Sequence, residues 1–262
     1  MAAKRKFKVP AVPVIVIPEV HLITDPTEMR ITVDPTPEDV DTFVEKTTLQ
    51  KLETRWTSFT NRLKADTAAA KGVFDKLVKA YDNTTTRMYH SLTHIEACLN
   101  VMDAHVPKDS KITPYVEMAI WFHDIIIDHD RKDSEVESAF AFMACGREMG
   151  LKGKFIGDVA DMIPYTMLKW HTKEAPHPRY DYLRDVYLSV LGADEKTFKA
   201  YELGIRYEYS YIPTATYNRA RAFILDSFLK RDRIYNTEIF RNLYETKARE
   251  NITRSIAFLG GN

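Results

Sequence analysis

The sequence contains little cysteine, and its two cysteines do not form a recognisable motif. Cys98 and Cys145 stand in neither a CxxC nor a CxxxxH context, which argues against a zinc knuckle or a dithiol redox site. Both fall in segments with a helical pattern, so we expect buried free thiols. Two cysteines without a recognisable secretory signal are typical of the reducing cytoplasm, and we expect that location.

The sequence also has no excess of one sign of charge and no long apolar run. The 262 residues include 37 basic and 37 acidic side chains, and a net charge of zero argues against a protein that coats nucleic acid. No stretch approaches the roughly 18 apolar residues of a membrane span, so no membrane partner is expected. A chain of this length can bury a sizeable core without disulfides.

Residues 1–36 differ in composition from the rest of the chain. They begin with a basic cluster and carry prolines at positions 10, 13, 18, 26 and 35. Because proline lacks a backbone donor and fixes φ, this segment predicts a non-helical extended arm. The arm would pack on the body or on a partner chain of a homo-oligomer, and a partly disordered tail is the alternative.

Residues 37–262 predict one all-α domain. Thr36-Pro37 is typical of a helix start, and apolar residues then recur at a spacing near 3.6. A capping box, Ser134 to Glu137, predicts the start of a further helix that ends at Gly150. Later helices are predicted at 155–171, 179–191, 195–209, 214–231 and 237–258. With no strand-period run, the pattern favours an orthogonal helical bundle with short loops.

Two histidine-containing stretches carry the chemistry. His123 and Asp124 follow Ile120-Trp121-Phe122 and precede three isoleucines. A charge in such an apolar run is costly unless it is paired or bound to a metal. Imidazole and carboxylate together suit divalent Mn, Fe, Co, Ni or Zn. An isolated His-Asp pair on a surface or at a helix end is the alternative.

His90 and His94 are spaced i, i+4 and share one face of a helix that begins early enough. Both could bind one metal, or His94 could bind it while His90 faces the substrate. A structural role for His90 is the third possibility.

These motifs resemble a known family. The matching stretches are Arg87-x-Tyr89-His90-x-Leu92-x-His94-Ile95, Ala119-Ile120-x-Phe122-His123-Asp124, Asp133-x-Glu135-x-x-Ser138-Ala139, Leu183 to Gly192, and Ile205-Arg206-x-Glu208-Tyr209. Their order and content resemble predicted metal-dependent phosphohydrolases of the HD superfamily, over about 50–255. The resemblance implies an HD-type orthogonal bundle.

The resemblance also implies a set of metal ligands. His94 takes the first place, His123 and Asp124 the next two, and the family's Asp-x-Asp segment supplies the fourth. Here that segment reads Asp185-Val186-Tyr187, so a tyrosine stands in place of the second acid. We expect Asp185 to be the fourth ligand of a single divalent ion.

The expected reaction is hydrolysis of a phosphoester by a metal-activated water. Asp128 and Glu135 are candidates for the base, with helix-terminal or loop charge as the alternative. Cations that could bind the phosphate are Arg87, Lys169 and Arg206, and His90 could face it as well. His171 could donate to the leaving oxygen or hold a second ion.

Three functions therefore compete. The first is a phosphohydrolase that acts on a nucleotide or a related small phosphoester. The second is a diiron oxygenase on the same scaffold, which would need further histidines such as His129, His171 or His177. The third is a binding or regulatory protein with an altered site, which the tyrosine at position 187 favours.

Overall fold

The computed structural model describes residues 46–81, 87–128, 133–167 and 175–260, which all fall in one compact unit. These residues form only helices and turns, which confirms the all-α prediction. The helices are α1 Lys46–Arg62, α2 Thr67–Ala80, α3 Leu92–His105, α4 Thr113–Phe122, α5 Ser134–Glu148, α6 Gly153–Met162, α7 Pro178–Leu188, α8 Glu195–Glu208, α9 Thr214–Leu229 and α10 Glu238–Gly260, with short 3-10 helices at Ile163–Thr166 and Ser189–Gly192. The predicted arm, 1–36, and the predicted helix start at Thr36 lie outside the described residues.

Helix α4 lies at the centre of the bundle. Every residue from Val116 to Phe122 is buried, and the helix packs against α3, α5, α6 and α7. Trp121 meets Trp56 of α1 edge to face, with 5.3 Å between ring centroids. Truncating an aromatic side chain in such a core to alanine costs about 3–5 kcal/mol. The apolar run before His123 therefore anchors the C-terminal part of α4 in the core.

The start of α5 differs from the predicted capping box. Asp133 occupies the N-cap position and makes no side-chain capping bond. The Ser134 hydroxyl accepts a hydrogen bond from the backbone N–H of Asp128 at 3.1 Å and donates to the carbonyl of Asp128 at 3.2 Å. The hydroxyl closes the preceding loop instead of capping the helix. The predicted end is confirmed, since Gly150 follows α5 with a φ of +69°.

Helix α8 approaches the segment before α3 unusually closely. A Cβ added to Gly204 would lie 3.0 Å from the Cβ of Tyr89. Only glycine permits this approach without displacing Tyr89. The close contact brings the C-terminal turn of α8, which carries Glu208, beside His90.

Two smaller predictions can be compared with the same structure. Cys98 and Cys145 are both free and buried, as expected. Among the residues that the structure describes, no helix combines the length and the apolar character needed to cross a bilayer.

Candidate metal centre

Three predicted ligands converge where α3 passes the end of α4. His94 lies in the first turn of α3, and His123 and Asp124 directly follow the last residue of α4. Nε2 of His94 is 3.2 Å from Nε2 of His123 and 3.6 Å from Oδ2 of Asp124. Nε2 of His123 is 2.9 Å from the same carboxylate oxygen. Two segments that are 29 residues apart in the chain thus present three donor atoms to one point.

The separations of these donors suit one divalent ion. Two donors that each lie about 2.1 Å from an ion are about 3.0–3.4 Å apart when the angle between them is about 90–110°. The three observed separations run from 2.9 to 3.6 Å. Imidazole nitrogen with carboxylate oxygen is also a donor set that first-row transition metals accept. The residues present therefore fit such an ion.

The site is buried on the histidine side and more open at the carboxylate. The exposed fraction of the side chain is 4% for His94, 1% for His123 and 16% for Asp124. Nδ1 of His123 lies 2.9 Å from the carbonyl oxygen of Ile120, to which it donates. This hydrogen bond leaves Nε2 as the atom that can bind a metal.

The electrostatics of the cluster favour an ionised carboxylate and a neutral His94. Burial raises the pKa of Asp124, but His123, His94 and His90 more than offset it, and the pKa lies well below its usual value. Burial lowers the pKa of His94 to about 4, and the charges of His123 and His90 act in the same direction. Burial also lowers the pKa of His123, but the charge and hydrogen bond of Asp124 outweigh it and the pKa is raised. An anion and a neutral imidazole are the forms that bind a metal.

His90 stands beside the three ligands and is held by Glu208. Nδ1 of His90 is 2.6 Å from a carboxylate oxygen of Glu208, and Nε2 is 4.0 Å from Oδ2 of Asp124. The other oxygen of Glu208 accepts the backbone N–H groups of Tyr89 and His90 at 2.7 and 2.9 Å. Nε2 of His90 thus lies on the side of the cluster, and the roles predicted for His90 stay predictions.

Glu208 is a residue whose role the sequence did not reveal. It is fully buried as a side chain, and 118 residues separate it from His90. Burial raises the pKa of Glu208, but the charge of His90 and the hydrogen bonds from His90 and Tyr89 outweigh this effect. The pKa of Glu208 is therefore lowered. Burial lowers the pKa of His90, and the charge and hydrogen bond of Glu208 overcome it so that the pKa is raised. The only signal in the sequence was its place in a stretch that resembles the family.

Asp185 does not join the other predicted ligands. Its carboxylate accepts the backbone N–H groups of Asn236 and Thr237 at 2.8 and 2.7 Å, and the Thr237 hydroxyl at 2.7 Å. These three groups belong to the two residues that directly precede α10, so Asp185 holds the segment at the start of that helix. Burial raises the pKa of Asp185 to about 6, although these hydrogen bonds lower it. Asp185, the expected fourth ligand, therefore stabilises the segment that leads into α10 in this structure.

Tyr187 is the residue of this segment that faces the metal centre. Its ring centroid lies 6.3 Å from that of His123. Residues two apart on a helix point about 200° away from each other, so Asp185 and Tyr187 cannot share one direction. Burial raises the pKa of the Tyr187 hydroxyl well above its usual value, which keeps it neutral. The position nearer the ligands thus carries a neutral phenol.

The arginines expected to bind phosphate have other partners. Arg87 donates from one amino group to the carbonyl of Asp124 at 2.8 Å and from the other to the carbonyl of Ile125 at 3.0 Å. Arg206 donates to the carbonyl of Tyr209 at 2.8 Å and to the hydroxyl of Thr214 at 3.2 Å. In the structure both guanidinium groups are engaged with neighbouring polypeptide, and their role in binding a phosphate stays a prediction. Lys169 and His171 lie outside the described residues.

The two candidate bases, Asp128 and Glu135, differ in exposure. Asp128 is exposed, and its backbone is tied to Ser134. Glu135 is half-buried in the first turn of α5, and its charge raises the pKa of Tyr187. Both carboxylates stay candidates for the base.

His177 does not contribute to the cluster. Its Nδ1 accepts the backbone N–H of Arg179 at 3.2 Å, so it caps the start of α7. His129 lies outside the described residues.

Comparisons with known proteins add no relative. Neither protein-family models nor curated proteins nor solved structures gave a match to this chain.

Proposed function

We propose that this protein is a metal-dependent phosphohydrolase with an HD-type site, acting on a nucleotide or a related small phosphoester. The observation that carries the proposal is the convergence of His94, His123 and Asp124 beside a fourth group, His90. The motifs that resemble the HD superfamily include the same residues, which supports the proposal. A single ion of Mn, Fe, Co, Ni or Zn is the expected cofactor.

His94, His123 and Asp124 would hold the ion and leave a position open. A divalent ion bound there lowers the pKa of water and stabilises charge on a phosphoryl oxygen. Three protein ligands with an open position are typical of catalytic sites, whereas structural sites are closed by four. The partial exposure of Asp124 is consistent with access from that side.

His90 would supply the proton for the leaving group. Glu208 holds its Nδ1 hydrogen, and its Nε2 side faces the ligands. Glu208 raises the pKa of His90 against the effect of burial, and this direction favours the proton-carrying form that a donor needs. As the oxygen of water bonds to phosphorus and the phosphoester bond breaks, the leaving oxygen takes the His90 proton. Positioned proton transfer of this kind contributes about 10²- to 10⁴-fold in rate.

Glu135 would take the proton that the attacking water loses. It stands in the first turn of α5, where the helix dipole favours a carboxylate. Burial and, to a smaller extent, the charge of Glu135 raise the pKa of Tyr187, whose ring packs against His123, and this supports the proposed role. Asp128 is the second candidate for this role.

A metal-dependent binding or regulatory protein is the second candidate function. Tyr187 favours it, because a neutral phenol stands where an acid of the family motif would stand. A weaker site could hold an ion and a phosphorylated ligand without turning it over. The oxygenase hypothesis has less support, since His177 caps α7 instead of facing the cluster.

A metal titration followed by a phosphate-release screen separates these functions. We expect the parent, loaded with Mn, Co or Ni, to hold about one ion and to release phosphate from at least one member of a nucleotide panel. His90→Asn should keep the ion and lose about 10²-fold or more in kcat. Glu208→Gln should shift the pH profile of kcat, because it removes the charge that raises the pKa of His90.

Different results of the titration and of the phosphate-release screen distinguish the two proposed functions. Binding of an ion and a nucleotide without release of phosphate would favour the regulatory protein. A parent that binds no Mn, Co or Ni would contradict both functions.

A further inference from the structure

The end of α4 is the structural base of the metal centre. The last four carbonyl groups of a helix have no partner within it, and α4 ends at Phe122, next to two ligands. Phe122 and His123 are almost fully buried, with exposures of 0% and 1%. Carbonyl groups in such surroundings need hydrogen bonds from elsewhere in the protein.

Three side chains from three segments donate to carbonyl groups in the last turn of α4 and in the turn that follows it. The Tyr81 hydroxyl donates to the carbonyl of Trp121 at 3.1 Å. The Ser138 hydroxyl of α5 donates to the carbonyl of Ile126 at 3.2 Å and accepts the N–H of the same residue at 3.1 Å. Arg87 donates to the carbonyls of Asp124 and Ile125, which directly precede Ile126.

Arg87 holds the peptide groups on both sides of Ile125. Its two amino groups reach the carbonyls of Asp124 and Ile125 at 2.8 and 3.0 Å, and its guanidinium lies over the ring of Tyr81 at 5.5 Å. A planar fork can hold two neighbouring acceptors at once, which the flexible ammonium of lysine cannot do. The cation also faces the negative end of the α4 dipole.

We propose that Arg87 is a positioning residue for the metal centre. By fixing the carbonyl of Asp124, it fixes the backbone from which the Asp124 carboxylate reaches His94 and His123. Arg87 thus acts through a ligand and not on the phosphate of a substrate. The inference rests on the metal site of the proposed function and does not require that the site hydrolyses anything.

Cobalt binding by Arg87→Lys tests this role. Co²⁺ reports the geometry of its ligands through its visible absorption, which a purely structural defect does not alter. Arg87→Lys keeps the charge and loses the fork. We expect Co²⁺ to bind about 10- to 100-fold more weakly, the loss typical of groups that orient metal ligands. The visible bands of the loaded protein should shift.

Tyr81→Phe is the matched control. It removes a donor to the same turn, at Trp121, but leaves the carbonyls of Asp124 and Ile125 with Arg87. We expect a lower melting temperature without metal and unchanged cobalt bands. An Arg87→Lys protein with the parent's cobalt affinity and bands would overturn the proposal.

Chemical rescue covers the case in which the lysine variant folds poorly. In Arg87→Ala, added guanidinium at millimolar concentration should restore cobalt affinity, and added ammonium should not. Equal effects of the two cations would contradict a role for the fork. If the parent itself binds cobalt but releases no phosphate, hydrolysis fails while the role of Arg87 is still decided by these variants.

Discussion

Asp124 and Asp185 are two buried carboxylates with different partners. Asp124 lies against two imidazoles, and His90 stands at 4.0 Å from it. Asp185 accepts two backbone N–H groups and a hydroxyl that precede α10. Both residues were predicted to bind the same ion, and the structure assigns only Asp124 to the cluster.

The pKa values of the two groups shift in opposite directions for this reason. Burial raises both, but the imidazoles overcome it at Asp124, where the pKa lies well below its usual value. Neutral donors lower the pKa of Asp185 less, and burial leaves it at about 6. A carboxylate beside imidazole nitrogens belongs to a donor set that can hold a metal ion, whereas one that accepts backbone amides stabilises a helix end.

The largest expected effect is at Asp124. Asp124→Asn keeps the shape of the side chain and removes the charge that faces His94 and His123. Because a direct ligand is altered, metal affinity should fall by more than the roughly 100-fold upper range for groups that only orient ligands. Elemental analysis and titration with Mn or Co measure it. Asp124→Asn with the affinity of the parent would remove the basis of the metal centre.

Asp185→Asn should affect stability instead of metal binding. Its amide cannot accept hydrogen bonds at both positions, so one donor near the start of α10 loses its partner. The free energy of unfolding should fall by about 1–3 kcal/mol. Denaturant unfolding without metal gives this value, and a cobalt titration of the same variant should match the parent. A tenfold loss of cobalt affinity would restore Asp185 as a ligand.

The effect of Asp185→Asn on stability should depend on pH. In the folded protein the pKa of Asp185 is about 6, whereas an unfolded Asp ionises near 3.9. The folded state therefore binds the proton more tightly, and this contribution is present below about pH 4 and lost as the pH rises through about 6. The stability deficit of Asp185→Asn relative to the parent should be largest near pH 4 and smaller at pH 7. A deficit that grows from pH 4 to pH 7 would contradict a raised pKa.

The smallest effect should follow from Tyr187→Phe. The ring that packs against His123 is kept, and the hydroxyl that is lost is neutral because burial raises its pKa. Metal affinity should change by less than about threefold, a small difference in free energy. A larger loss, measured by the same cobalt titration, would show that the phenol oxygen serves as a ligand.

The sequence predicted most helices and the three residues that cluster, because these depend on local pattern. The apolar run before His123 marks the buried end of α4. The predicted helical face shared by His90 and His94 is not observed, since α3 begins at Leu92, after His90.

The sequence did not reveal contacts between residues that are distant in the chain. Arg87 has the residue type of a phosphate binder, but in the structure it donates to the turn after α4. Asp185 has the residue type of a metal ligand, but in the structure it accepts hydrogen bonds from the residues before α10.

The distance between His90 and Glu208 along the chain has a consequence for synthesis. His94, His123 and Asp124 leave the ribosome within 31 residues of each other, and Glu208 emerges 84 residues after Asp124. A nascent chain therefore carries all three candidate ligands well before it carries the carboxylate that orients His90. Chains that stall between α5 and α8 would have His94, His123 and Asp124 without the group that the proposed reaction needs.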